Sequence, residues 1–210
     1  MAAVTEIVRL GEGQVEEASE MLGRAFYDNP MSVYLLPDAA KRLRPLSWMF
    51  GTSTRYGYLY GEVYTTTDRV EGAAIWLTPE NPPMDRERVI RAGMAELPQK
   101  MGPEAFQRLI VMKSKMDELR KRDAPEPHWY LWVLGVDPPR QGQGVGGALL
   151  QPVLARADAD GLPCYVETDK PINVPFYQRH GFEVVVEGDL PDGGYHFWTM
   201  KRPPRRPTHG

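Results

Sequence analysis

The chain has 210 residues, 42% of them hydrophobic, and a formal net charge of -3. This length and hydrophobic content are typical of a globular domain with a buried core, and the small net charge gives no indication of a nucleic-acid partner. The single cysteine, Cys164, excludes an intrachain disulfide and favours a reducing compartment. No apolar run approaches the roughly 20 residues that span a bilayer, and the N-terminus lacks the apolar core of a signal peptide. We therefore expect a cytoplasmic protein that is not inserted in a membrane.

The first 77 residues predict a strand, two helices and a hairpin. Residues 4–10 predict the strand, and apolar residues at helical spacing predict helices over 15–26 and 38–57. Residues 58–66 and 70–77 are rich in aromatic and β-branched types and are separated by three turn residues. This pattern predicts two antiparallel strands.

The remaining residues predict alternating helices and strands in a mixed sheet. Helices are expected over 84–96, 104–122, 145–161 and 173–179, and strands over 128–136, 163–168, 181–187 and 194–201. This order predicts an α/β or α+β fold. We expect one domain over residues 1–202 and a proline- and arginine-rich, disordered tail over 203–210.

The segment 130–154 stands out because an apolar strand leads through a glycine-rich turn into a helical pattern. The glycines are at positions 142, 144, 146 and 147. Glycines allow a phosphate to approach the unpaired amides at a helix N-terminus, although such turns often only redirect the chain. Gly142, Gly144 and Gly147 also satisfy a dinucleotide-binding pattern, with Glu167 where a ribose-binding carboxylate is expected. Against that alternative, an antiparallel hairpin precedes the loop and only 63 residues follow Gly147.

Two segments together resemble the signatures of the GNAT N-acetyltransferases. Residues 141–146 read Gln-Gly-Gln-Gly-Val-Gly, and residues 167–182 contain Asn173, the pair Phe176-Tyr177 and a closing Gly-Phe. The sequences at 76–80 and 128–131 resemble puromycin N-acetyltransferase-like members most closely. The resemblance implies a mainly antiparallel twisted sheet flanked by helices, with splayed central strands. It also implies acetyl-CoA as co-substrate and no metal.

The resemblance also implies a role for individual residues. The acetyl-CoA pyrophosphate is expected on the backbone of Gln141, Gly142, Gln143, Gly144, Val145 and Gly146. The pantetheine arm is expected along the strand edge at Leu134 and Val136, and near Asn173, which is alternatively a plain helix N-cap.

Two residues are candidates for proton transfer. Tyr177 matches the family's general acid, or is an ordinary core aromatic. Glu167 is a candidate base, acting directly or through water, or a structural carboxylate. His128 is a weaker candidate base, His180 is given no role, and Cys164 is expected to be buried rather than nucleophilic.

The acceptor site is expected in the first half of the chain and in the loops around 79–103. Six aromatic residues are candidates to line it: Tyr27, Tyr34, Trp48, Tyr56, Tyr58 and Trp76. Most of them also fit ordinary core positions. Asp28, Glu62 or Asp68 would attract an ammonium group, and nothing in the sequence selects among them.

These observations predict an acetyl-CoA-dependent N-acetyltransferase that acts on a primary amine, favouring a small aminonucleoside- or antibiotic-like molecule. Three alternatives stay open: a protein lysine acetyltransferase, a non-catalytic acyl-CoA sensor and a dinucleotide-dependent oxidoreductase. The expected partners are an amine acceptor and, at most, a second copy of the chain.

Overall fold

The computed structural model describes residues 6–80 and 84–205, so the expected start of the first strand and the residues 206–210 of the expected tail lie outside the described residues. The strands are β1 (Ile7–Arg9), β2 (Glu62–Thr66), β3 (Gly72–Leu77), β4 (Trp129–Val136), β5 (Cys164–Thr168), β6 (Glu183–Asp189) and β7 (His196–Arg202). The α-helices are α1 (Val15–Ala25), α2 (Pro30–Leu35), α3 (Ala39–Tyr60), α4 (Arg86–Arg91), α5 (Leu97–Met101), α6 (Pro103–Asp123), α7 (Val145–Asp160) and α8 (Asn173–Arg179).

The seven strands form one mixed sheet in the order β1-β2-β3-β4-β5-β7-β6. The pair β4 and β5 is parallel and every other pair is antiparallel, as the hairpin pattern predicts for β2 and β3. The pairing of β4 with β5 stops at Leu131 and Val166, although both strands continue. The two central strands therefore splay apart, and the mainly antiparallel sheet expected from the sequence is confirmed.

A β-bulge in β4 helps to explain how both faces of the sheet are used. The register between β3 and β4 shifts at Ile75 and Trp76, which pair with Val133 and Leu131 and leave Trp132 without a counterpart in β3. Leu131 packs into the core under α7, whereas Val133 packs into the core under α1 and α3. Because side chains alternate along a regular strand, the extra residue of the bulge moves Val133 to the opposite face.

Several predicted elements differ from the observed ones. The alternating tyrosines 56, 58 and 60 suggested that the β2 strand begins at residue 58, but α3 continues to Tyr60. Tyr56 and Tyr60 are four residues apart on one face of the helix and pack ring against ring, 5.0 Å apart, whereas Tyr58 lies on another face and is exposed. The six-residue α2 was not predicted; it begins with Pro30 at a position where its missing N–H costs nothing. The expected helix over 84–96 ends at Arg91 and gives way to a left-handed Gly93.

Within residues 6–80 and 84–205, no helix is both long enough and apolar enough to cross a membrane.

Candidate active site

The glycine-rich loop presents a run of unpaired backbone amides. Gln141 N–H donates to the Pro138 carbonyl, and the next paired amide is that of Ala148, which donates to Gly144. Among the described residues, no acceptor contacts the N–H groups of residues 142–147. These six donors lie at the N-terminal end of the 16-residue α7, where the helix dipole is positive. The arrangement is suited to a phosphate or pyrophosphate group.

Two glycines of this loop have backbone conformations that other residues adopt only with strain. Gly142 has φ of +73° and Gly144, the N-cap of α7, has φ of +87°. A Cβ atom at either position would point into open space, so the conformation rather than crowding requires glycine. Gln141 and Gln143 hold the loop by donating from their amides to the Val136 carbonyl (3.0 Å) and the Pro139 carbonyl (2.9 Å).

The edge of β4 that faces β5 is open beyond Leu131. Asp137 N–H donates to the Glu71 carbonyl, on the β3 side of the strand. Because successive residues of an antiparallel strand direct their N–H and C=O groups to alternate sides, Gly135 also directs its N–H and C=O groups towards β3. The N–H groups of Leu134 and Val136 are therefore directed into the gap between the splayed strands. Both side chains are partly exposed. An extended amide-containing ligand can add to such an edge as an extra strand.

The start of α8 and the end of β5 are joined by a side-chain hydrogen bond. Asn173 Nδ2 donates to Thr168 Oγ1 at 2.9 Å. The N-cap of α8 is Ile172, so the sequence-based alternative in which Asn173 itself caps this helix is wrong. Asn173 instead fixes the first turn of α8 against β5.

Tyr177 lies in the core beside the splayed strands. It is 5% exposed and packs between Phe176 and Phe182, with ring centroids 5.1 and 5.6 Å away. Its hydroxyl makes no hydrogen bond to any of the described residues. Burial raises the pKa of Tyr177 further above its usual value, and the nearby Asp169 and Glu167 carboxylates add to this effect. The phenol therefore stays protonated, as a proton donor requires.

A cavity of about 900 Å³ lies on the face of the sheet that α1, α3 and α6 cover. Its wall is mainly apolar, with methionine and aromatic side chains that include Phe26, Phe50, Phe106 and Trp132. Its polar groups are concentrated where α6 faces the start of β4 and the carboxyl end of β5: Lys113, Asp117, Arg120, His128, Tyr130, Glu167, Thr168 and Asp169. An apolar cavity with a few convergent polar groups is typical of a small-molecule site.

Glu167 is placed where β4 and β5 separate, because it directly follows the last paired residue of β5. Its Oε2 accepts a hydrogen bond from the Tyr130 hydroxyl at 2.7 Å. Its buried Oε1 has no hydrogen-bond partner among the described residues. Burial raises the pKa of Glu167 to about 7, against the lowering effects of Tyr130 and Arg120. A carboxylate with this pKa can exchange protons near neutral pH.

Asp169, two residues further on, joins the end of β5 to the start of α2. Its carboxylate accepts from Asn29 Nδ2 and from Met31 N–H, both at 2.8 Å. Asp169 is 8% exposed, and burial raises its pKa. Sequence reasoning assigned it no role, although its place at the carboxyl end of a strand was a usable signal.

A second group of functional candidates lies on one face of α6. Arg120 donates to Asp117 Oδ1 (2.8 Å), and Lys113 Nζ donates to Asp117 Oδ2 (2.5 Å). The Arg120 guanidinium lies 4.1 Å from the centre of the Tyr130 ring. Spacings of three and four residues on a helix bring such side chains together, so the sequence contained a signal for this ion-paired group.

Most of the aromatic residues expected to line the acceptor site lie outside this cavity. Of the six aromatic candidates, only Tyr56 lines the cavity. Three of the other five make different contacts: Tyr27 donates to the Ala39 carbonyl, Tyr34 contacts Tyr195 and Trp48 lies under Lys100. Of the last two, Tyr58 is exposed and Trp76 is fully buried.

The three acidic candidates are likewise absent from the cavity wall, whose carboxylates are Asp117, Glu167 and Asp169. Glu62 instead pairs with Arg9 and Arg156 at 2.7 Å.

The remaining candidates from the sequence are His128, His180 and Cys164. His128 lines the cavity, where burial lowers its pKa, and its Nδ1 contacts the Glu126 carbonyl at 2.8 Å. His180 packs on Phe176. Burial raises the pKa of the Cys164 thiol to about 12, which leaves it unreactive as a nucleophile near neutral pH. Among the described residues, no group of three or more histidine, cysteine or acidic side chains is arranged to hold a metal ion.

The splay of β4 from β5, the loop of unpaired amides and Glu167 all lie within one segment of the chain that matches a known family. Residues 110–182 match the model of the acetyltransferase (GNAT) family. An uncharacterized N-acetyltransferase of Schizosaccharomyces pombe is 28% identical over 174 residues, which cover 80% of this chain and 70% of that protein.

Solved structures share the fold along almost the entire chain. The histone acetyltransferase HPA2 and related acetyltransferase from Corynebacterium glutamicum has a TM-score of 0.67 at 21% identity, over 97% of this chain and 98% of that chain. A mosquito arylalkylamine N-acetyltransferase-like 5b has a TM-score of 0.58 at 16% identity, over 95% and 100% of the two chains. The family match over residues 110–182, the curated relative and these structures are all acetyltransferases, and the protein is an acyltransferase.

Proposed function

We propose that this enzyme transfers an acetyl group from acetyl-CoA directly to the primary amine of a small molecule. The observation that carries the proposal is the position of Glu167. This carboxylate lies at one end of a largely apolar cavity, at the point where β4 separates from β5 and exposes its edge. The acceptor and donor sites would meet there.

The amides of residues 142–147 would hold the pyrophosphate of acetyl-CoA, as the sequence resemblance implies. The pantetheine arm would lie along the β4 edge at Leu134 and Val136, with its amides paired to the backbone groups of Leu134, because the Val136 carbonyl already accepts from Gln141 Nε2. The positive φ angles of Gly142 and Gly144 keep the loop in the conformation that exposes its N–H groups. Asn173 would border the arm from the start of α8.

The chemistry requires a base for the acceptor and an acid for the leaving group. Glu167 would take a proton from the acceptor ammonium through its free Oε1, either directly or through one water, and the neutral amine would attack the thioester carbonyl. The Val136 N–H would stabilise the resulting oxyanion. As the intermediate collapses, Tyr177, which burial keeps protonated, would donate its proton to the departing thiolate, and the extra proton on the nitrogen would be lost to solvent, from which the phenolate recovers a proton.

The cavity wall favours an acceptor with a bulky apolar or aromatic body. Methionine and aromatic side chains dominate it, and its volume of about 900 Å³ is within the range of small-molecule sites. An aminonucleoside, as in the puromycin-type subgroup that the sequence resembles, has such a body. A protein lysine would present a thin aliphatic chain and leave much of this wall uncovered.

The proposal is tested by measuring free thiol release from acetyl-CoA against a panel of amines. The panel includes puromycin, arylalkylamines, short aliphatic amines and a lysine peptide. We expect the highest kcat/KM with an aromatic amine, and mass spectrometry should show one added acetyl group on the acceptor.

Three outcomes would contradict the proposal in different ways. A preference for the lysine peptide would favour the protein-directed alternative. Thermal stabilisation by CoA without acceptor-dependent thiol release would indicate a sensor. NADH binding without any response to CoA would support the oxidoreductase alternative.

The single buried cysteine supports a cytoplasmic location, which localisation of the tagged protein would check.

A further inference from the structure

We propose that Tyr130 is a positioning residue that fixes the Glu167 carboxylate with Oε1 available to the acceptor. This inference rests on the proposed function, because it assigns Tyr130 a role in the same reaction. Its basis is the 2.7 Å hydrogen bond from the Tyr130 hydroxyl to Oε2, together with the absence of any partner for Oε1 among the described residues. One carboxylate oxygen is held and the other is left for chemistry.

Tyr130 is itself held in place from two sides. Its backbone pairs with Leu77 on one neighbouring strand and with Tyr165 on the other, in the segment where β4 is still paired on both edges. Its ring lies under the Arg120 guanidinium, which Asp117 fixes from the next turn of α6. The hydroxyl is therefore presented to Glu167 by a buried, well-packed side chain, and no flexible loop is involved.

The hydrogen bond affects the charge of Glu167 as well as its orientation. A donor to the carboxylate favours the ionised form and opposes the effect of burial. Other charged or titratable groups also act on Glu167 or lie near it: Lys113, Asp117 and Arg120 from α6, His128 and Tyr165 from the paired segment, Asp169 and Tyr177 beyond β5, and Tyr195 before β7. Arg120 and Lys113 favour the carboxylate, whereas Asp117 opposes it. Within this group, Tyr130 makes the direct hydrogen bond.

The test compares Tyr130→Phe with Tyr165→Phe in the intact enzyme. Tyr165 is a suitable control because it is also buried, its ring centroid is 6.4 Å from that of Tyr130, and its hydroxyl has no hydrogen-bond partner among the described residues. For Tyr130→Phe we expect the acidic limb of the kcat/KM profile to move up by about one pH unit. We also expect kcat on the plateau to fall about tenfold, with acetyl-CoA Kd and acceptor KM changed by less than about twofold. Tyr165→Phe should retain the wild-type profile.

A Tyr130→Phe profile that superimposes on that of the wild type would overturn the proposal. A parallel loss of kcat and acetyl-CoA affinity without a pH shift would also overturn it, because that pattern indicates a merely structural role. If Tyr130→Phe does not fold, 3-fluorotyrosine at position 130 keeps the shape of the side chain. This more acidic phenol donates a stronger hydrogen bond, so the acidic limb should move to lower pH, and no movement would refute the role.

A direct titration separates this inference from the proposed function. The Glu167 carboxyl can be followed by infrared spectroscopy or by carbon NMR, with Glu167→Gln identifying its signal. Tyr130→Phe should raise the titration midpoint even if no acceptor supports turnover. Wild-type enzyme that is inactive with every amine would therefore contradict the proposed function alone, whereas an unchanged midpoint would contradict the role of Tyr130 alone.

Discussion

Replacing Glu167 by glutamine should stabilise the folded protein at alkaline pH and remove most of its activity. Burial raises the pKa of Glu167 from 4.5 to about 7, so the folded chain binds this proton more tightly than the unfolded chain does. The stabilisation that comes from this tighter proton binding is therefore fully present below the pKa of Glu167 in the unfolded chain, and it is lost as the pH rises through about 7. Glutamine carries no charge and retains an oxygen that can accept from Tyr130.

The size of the effect follows from this difference in pKa. A full conversion to free energy gives roughly 3 kcal/mol above pH 8. Glu167 is partly exposed, so solvent reduces this figure, and we expect glutamine to raise the free energy of unfolding by about 1–3 kcal/mol at pH 9. For a domain of this length the corresponding increase in Tm is about 3–10 °C. At pH 4.5, where Glu167 is protonated, the two proteins should be nearly equal in stability.

The measurement is thermal and urea unfolding of both proteins at pH 4.5, 7 and 9, with thiol release measured in parallel. Glu118→Gln is the matched control, because it removes an exposed carboxylate from α6 without touching the cavity. An equal change in the free energy of unfolding at all three pH values would refute the reasoning. It would show that ionisation of Glu167 does not destabilise the folded protein. Wild-type turnover by Glu167→Gln would separately remove its assignment as the base.

Three further substitutions, with one control variant, address the other parts of the site. Tyr177→Phe should lower kcat about tenfold or more with nearly unchanged acetyl-CoA affinity, as followed by thiol release and calorimetry; full activity would exclude Tyr177 as the general acid. Gly144→Ala should cost about 1 kcal/mol of stability because of its positive φ, and should raise the Kd for CoA at least tenfold. Gly161→Ala is the control, because Gly161 lies at the other end of α7 and also has a positive φ. It should cost similar stability in urea unfolding and leave the Kd for CoA unchanged. Equal Kd values for both variants would argue against the loop as the phosphate site. Asp169→Asn should cost about 1–3 kcal/mol of stability because it weakens the hydrogen bonds to α2, and should raise the acceptor KM more than the Kd for acetyl-CoA; the opposite order would place Asp169 on the donor side.

Local pattern was sufficient to predict most of the elements. The glycine loop, the strand before it and the helix after it are signalled by consecutive residues, and α8 was predicted with its observed bounds. The prediction was wrong at the end of α3, because the aromatic residues there alternate as in a strand but pack on a helix. Tertiary packing overrode the local preference at that position.

The residues that line the cavity were far less predictable. The aromatic residues chosen from the first half of the chain are mostly committed to other contacts, and much of the polar wall comes from α6 and from the end of β5. The spacing of residues along the chain does not reveal which helix covers which part of a sheet. The bulge in β4 adds to this difficulty, since one extra residue changes the face to which Val133 points.

The sequence by itself determined the class of site: a loop with unpaired amides, an adjacent strand edge, and a glutamate and a tyrosine ten residues apart. These features depend on neighbouring residues and on backbone preferences, which act locally. The tertiary structure alone decided how far β4 and β5 stay paired, which oxygen of Glu167 is held by Tyr130, and which charges of α6 face them. The hydrogen bond from Tyr130 to Glu167 joins residues 37 positions apart, and that from Asn29 to Asp169 joins residues 140 positions apart. Only tertiary packing brings such residues within hydrogen-bonding distance.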